Sequence, residues 1–72
     1  MDAIYIEMVY SDHHFTNIGK CYRNREDAIK RLRQLRAEND LHVINYSETY
    51  LFILYYYQGR RIEVDFETKA LR

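Results

Sequence analysis

The residues of this chain that could do acid–base or covalent chemistry are few and scattered. His13 and His14 follow Asp12, and an imidazole beside a carboxylate is the beginning of a general acid–base pair. Catalysis would need a nucleophile or another partnered group within hydrogen-bond reach. None follows from the local sequence, so the two histidines read as a solvated loop. Cys21 is the single cysteine, which rules out an intrachain disulfide. Its thiolate could act as a nucleophile, but a lone cysteine in a β-rich, apolar setting reads as a small core residue. Together with His13, His14 and His42 it makes up a metal-ligand set in number only. Adjacent histidines rarely point at one ion, and no paired ligand spacing occurs. Glu63, Asp65 and Glu67 alternate along a strand, too widely spaced for a compact oxygen cage, and read as a solvated face. No Gly-rich phosphate loop, Gly-x-Ser-x-Gly or His-Glu-x-x-His is present. The expectation is a protein that is not an enzyme and holds no metal or cofactor.

A second chemistry is phosphate recognition. Between residues 20 and 36 stand Lys20, Arg23, Arg25, Lys30, Arg31, Arg33 and Arg36, against the acids Glu26 and Asp27. Arginine outnumbers lysine eight to three in the chain, which suits bidentate contacts to phosphate or carboxylate. Lys30, Arg31, Arg33 and Arg36 on an exposed helix therefore define a nucleic-acid-binding alternative. Two observations count against it. Glu26–Lys30 and Asp27–Arg31 are i,i+4 pairs in the favoured acid-first order. In addition, the aromatic sheet residues stand among acids rather than bases.

These groups have to be positioned by a small number of elements. Residues 3–10 alternate, with Ile4, Ile6, Met8 and Tyr10 on one face and Tyr5, Glu7 and Val9 on the other, which predicts a strand. Ser11-Asp12-His13-His14 turns the chain into a second strand over 15–22, where Gly19 marks a bulge or a close backbone approach. Asn24 is a favoured N-cap, and Glu26 and Asp27 in the first turn suit the helix dipole. Ala28, Ile29, Leu32 and Leu35 then form one apolar stripe, and Asn39 is a stop. Strands are expected over 41–46, 49–57 and 60–67, with Gln58-Gly59 as a two-residue hairpin turn. The fold expected is a single α+β domain over residues 1–72 in ββαβββ order. It has a mainly antiparallel sheet of four or five strands, with one amphipathic helix on one face.

The Gln58-Gly59 turn fixes a register in which Tyr57 meets Arg60. Leu51, Ile53 and Tyr55 then oppose Phe66, Val64 and Ile62 as the floor under the helix. The other face carries Tyr50, Phe52, Leu54 and Tyr56 beside Arg61, Glu63, Asp65 and Glu67. One helix covers one face, and four large apolar or aromatic side chains on the second are costly to expose. A rim of charge around aromatic anchors is how protein interfaces are built. The competing reading is local cover of that face, by the N-terminal segment or by Tyr5 and Val9.

Composition narrows the class. A 72-residue chain has room for one core and buries only about two-thirds of its unfolded surface, so association is the supplement its stability calls for. Eleven basic residues balance eleven acidic ones, so no net field draws it to nucleic acid or an anionic membrane. No apolar run is long enough to span a membrane and the start lacks signal-peptide character, while the one free cysteine suits a reducing cytoplasm. Eight tyrosines favour strands and contact surfaces. The stretch from Ile18 to Ala28, continuing to Leu32 and Leu35, resembles a strand-to-helix junction found in small bacterial and phage domains. The small size and lack of catalytic residues look like phage-encoded inhibitors of host defence. The functional expectation is a protein–protein interaction module acting through Tyr50, Phe52, Leu54, Tyr56 and Arg61. It would pair with itself, as a homo-oligomer, or inhibit or modulate a host protein.

Overall fold

The structure, a computed structural model, describes residues 3–70; Met1, Asp2, Leu71 and Arg72, the ends of the expected domain, lie outside the described residues. The helix forms where its signals place it. Asn24 is extended (φ −114°, ψ 139°) and its carbonyl accepts the amides of Asp27 and Ala28 at 3.1 and 3.3 Å, opening α1 (Arg25–Glu38). Its side chain caps no backbone amide; its Nδ2 instead donates to the Asp27 carboxylate at 3.4 Å. At the other end the amide and side-chain Nδ2 of Asn39 both donate to the Leu35 carbonyl, at 3.1 and 2.8 Å, which stops the helix. A short 3₁₀ turn (Asp40–His42) follows. The described helices include none long and apolar enough to cross a membrane.

Around α1 the element order is β1 (Ala3–Ser11), β2 (His14–Tyr22), α1, β3 (Val43–Ser47), β4 (Phe52–Tyr57) and β5 (Arg60–Ala70). This is the ββαβββ α+β fold, with all five strands in one antiparallel sheet of order β2-β1-β5-β4-β3. Both tight hairpins turn on two residues with positive φ: Asp12 (50°) and His13 (70°), then Gln58 (52°) and Gly59 (76°). That pair of signs belongs to the mirror-image turn that matches strand twist. It fixes the expected register of Tyr57 on Arg60, Tyr55 on Ile62 and Ile53 on Val64.

The core lies between α1 and one sheet face. Ala28, Leu32 and Leu35 pack with Leu51, Ile53, Tyr55, Val64 and Phe66, and Tyr5, Val9, Tyr22 and Ile29 close the margin. Three strands differ from those expected by more than a residue. The strand expected over 41–46 begins at Val43, because Leu41 and His42 belong to the 3₁₀ turn. Residues 49–51 belong to a turn, and Leu51 enters the core from a left-handed backbone (φ 56°). A non-glycine residue there is strained by about 1–2 kcal/mol, offset here by burying the leucine side chain. The strand expected over 60–67 runs on to Ala70 beside β1.

Gly19 meets both expectations at once. Ile6 opposes Cys21 and Met8 opposes Ile18, so Glu7 alone faces Gly19 and Lys20 across a bulge. A Cβ at residue 19 would lie 2.8 Å from Cδ and Oε2 of Glu7. Gly19→Ala is accordingly expected to cost about 1–2 kcal/mol in urea unfolding, because the carboxylate it displaces is held by other partners. A loss under about 0.3 kcal/mol would show that Glu7 swings aside freely.

Candidate functional site

The alternation of β1 and its pairing to β5 build a surface on the side away from α1. Directly opposed residues share a face. Ile4, Ile6, Met8 and Tyr10 of β1 oppose Lys69, Glu67, Asp65 and Glu63 of β5, and Asp65, Glu63 and Arg61 in turn oppose Phe52, Leu54 and Tyr56 of β4. The face is therefore a charged central row between two apolar ones. Beyond β1, the irregular edge strand β2 adds Phe15, Ile18 and Cys21, and Phe15 meets Tyr10 edge-on at 5.7 Å. The helix and the whole core cluster are on the opposite side, so none of the described elements covers this face. Tyr5 and Val9, the local cover considered for it, pack on the core side instead.

Of the five residues expected at the interface, Phe52, Leu54, Tyr56 and Arg61 share this face. Tyr56 is half exposed, whereas Leu54 is only 7% exposed, packed among its sheet neighbours. Tyr50 does not join them: it sits in the turn before β4, 79% exposed, with its amide on the Ser47 hydroxyl at 3.0 Å. Arg61 is fixed through its backbone, which exchanges hydrogen bonds with Asp12: the Asp12 amide reaches the Arg61 carbonyl at 2.8 Å, and the Arg61 amide reaches Asp12 Oδ1 at 3.0 Å. Its buried Nε finds no hydrogen-bond partner among the described residues. The β1 residues Ile4, Ile6, Met8 and Tyr10 belong to the face as well. Their shared side was legible from alternation, but their place beside β5 was not.

Asp65 lies at the centre of this face, between Met8 and Phe52. Burial between these apolar neighbours, followed by a hydrogen bond to Glu63 and the repulsion of its charge, pushes the Asp65 carboxyl up to about 7.

The remaining chemistry-bearing groups are occupied or dispersed. Asp12 is tied to Arg61, His13 is a turn residue and His14 is exposed, so the three form no acid–base constellation. Cys21 is exposed on the edge strand, not in the core. An edge strand has neither a second neighbour nor α1 over this face to cover it. No three His, Cys, Asp or Glu side chains among the described residues come together as a metal site.

On the helix side, buried Glu7 (6% exposed) accepts from Tyr22 Oη at 3.3 Å and Arg31 Nε at 3.4 Å. Burial and then the Glu7 charge raise the Tyr22 pKa. Arg33 donates to both Glu48 oxygens at 2.9 and 3.0 Å, and Tyr46 Oη adds a third bond at 2.7 Å. Those contacts, Arg33 first, hold the Glu48 carboxyl down to about 2. Arg36 stacks 4.9 Å above the Tyr46 ring. Neither expected pair, Glu26–Lys30 nor Asp27–Arg31, forms among the described residues; Arg31 turns instead to the less exposed carboxylate of Glu7. Of the four proposed phosphate contacts, Lys30 alone is left without such a partner among the described residues.

Compared with known proteins, the chain matches no family model, no curated protein and no solved structure.

Proposed function

We propose that the chain is a non-catalytic interaction module that engages another protein through the open face of its sheet. The observation that carries this reading is the placing of Ile4, Ile6, Met8, Tyr10, Phe52 and Tyr56 on one surface that the single helix leaves bare. Domains ordinarily bury such a face under a further layer, and when their own chain supplies none, a partner can. Aromatic and methionine side chains around a charged centre are a composition suited to a contact surface. The engagement of Arg31, Arg33 and Arg36 by Glu7, Glu48 and Tyr46 favours this reading over nucleic-acid binding, since those guanidiniums would have to give up partners to meet phosphate.

Phe52→Gln tests the reading, since it removes apolar contact without adding a charge beside Asp65. Wild-type protein is expected either to sediment above monomer mass or to retain a specific protein from its native extract. The variant is expected to lose that association while keeping its helical circular dichroism and its melting temperature. A monomeric wild type that retains nothing, or a variant that keeps the same partners with equal avidity, overturns the proposal.

A further inference from the structure

The open face has a charge order as well as an apolar one. Along β5 it runs Arg61, Glu63, Asp65, Glu67, Lys69: a base, three acids and a base. This order reads the same in both directions. Two copies of the face stacked about Asp65 would place like charge on like charge whether their strands ran parallel or antiparallel. The central residue would meet its own copy in an apolar setting, where charge repulsion is least screened. In that centred register the row disfavours a second copy, whereas a partner with basic residues at the centre of its contact stripe is complementary to it.

The spacing specifies more. Strands lie about 4.8 Å apart, so the apolar rows of β1 and β4 are roughly 10 Å apart across β5, close to the diameter of an α-helix. Alternate residues of the acidic row are about 6.7 Å apart, and every fourth residue of a helix is about 6 Å apart. On the reading of this face as an interface, we infer that it receives an amphipathic helix of a different protein. Lysines or arginines of that helix, every third or fourth residue, lie along Glu63, Asp65 and Glu67. Its aliphatic flanks rest on Ile6 and Met8 on one side and on Phe52 and Tyr56 on the other. Long basic side chains suit this position twice over, because their methylene stems cover apolar surface while their heads reach the carboxylates. Acids at the two ends of such a helix would meet the positive charges of Arg61 and Lys69, which close the row.

Three synthetic peptides of about 18 residues test this, each long enough to follow the row from Arg61 to Lys69. They share one leucine-alanine face and differ only in a central stripe of lysine, glutamine or glutamate. Each is titrated into the full 72-residue chain and followed by methyl and amide chemical shifts. The lysine peptide is expected to bind about tenfold or more tighter than the glutamine peptide, with shifts at Ile6, Met8 and Phe52. The glutamate peptide is expected to leave those signals unmoved. A Glu63→Gln/Asp65→Asn variant, which relieves like-charge repulsion and should fold at least as well, is expected to erase the lysine advantage. Equal binding of lysine and glutamine peptides at this face overturns the basic-helix inference and leaves the face standing as an interface. Shifts confined to other surfaces, or none with any peptide, also overturn it, and the Phe52→Gln association experiment then decides the interface reading separately.

Discussion

Leu32→Ala is expected to destabilise the domain by about 3–5 kcal/mol and to leave much of the chain unfolded at physiological temperature. Leu32 is fully buried, at 0% exposure, on the central turn of α1. Its cluster partners Ile53, Val64 and Phe66 come from β4 and β5, two of the three interior strands of the sheet. Those strands are held by backbone pairing on both sides and cannot collapse into the space a truncated leucine leaves, so the cavity penalty adds to the lost transfer energy. A domain of this size commands only about 3–5 kcal/mol in total unless a partner supplements it, so the variant removes most of its stability. Thermal melts followed by circular dichroism should show the midpoint falling by about 15 °C or more, or no transition at all. Lys30→Ala, on the exposed side of the same helix, is the control and should change stability by less than about 0.5 kcal/mol. A Leu32→Ala midpoint within about 5 °C of wild type would mean that α1 contributes little to the core.

The helix that carries Leu32 was legible because each of its signals is local. The Asn24 cap position, the acids of the first turn, the stripe from Ala28 to Leu35 and the Asn39 stop all lie within one short segment. The Gln58-Gly59 hairpin was legible for the same reason, and its register brought Phe52, Leu54, Tyr56 and Arg61 onto one face. What could not be read were consequences of distant contacts. Nothing in residues 3–11 indicates that β1 pairs with β5, so Met8 and Tyr10 could not be placed beside Asp65. The helical Asp27–Arg31 pair gave way to Arg31–Glu7, since a carboxylate fixed by the fold outcompetes a solvated one on the same helix. Leu51 and Tyr50 looked like strand because a leucine in left-handed backbone has no sequence signature; core burial of that side chain and the Phe66 amide on its carbonyl at 2.9 Å hold it there. Cys21 looked like core because it is a lone cysteine in a β-rich, apolar stretch, and its position at the sheet edge is a property of strand order.

Asp65→Val is expected to stabilise the isolated domain increasingly as pH rises, a consequence of where the open face places its central carboxyl. In the folded chain that carboxyl is pushed up to about 7, against 3.8 for an ordinary aspartate. Between these values the folded state keeps a proton that the unfolded state releases. The contribution of Asp65 to stability therefore falls as pH rises from about 4 to about 7 and is level on either side of that window. The charged and titratable groups nearest it are Glu63, Glu67, Arg61 and Lys69 along β5, with Tyr10 on the β1 side and Tyr56 on the β4 side. Glu48 does not interfere, since its depressed carboxyl changes stability only as pH falls from about 4.5 towards 2. Allowing for the hydration that a partly exposed carboxyl retains, the cost at pH 8 is about 1–2 kcal/mol. Valine removes that cost and suits a central strand. Urea unfolding should therefore give wild type and variant similar stabilities near pH 4 and a gap of about 1–2 kcal/mol at pH 8, with Asp65→Asn following the variant's flat profile. Parallel pH profiles for wild type and Asp65→Val would refute the placement of this carboxyl. Valine also joins the apolar rows of β1 and β4 into one surface, so the stabilised variant should self-associate at concentrations where wild type does not. On the proposed reading of this face as an interface, a basic partner that meets Asp65 would return the stability that its carboxylate costs the free chain.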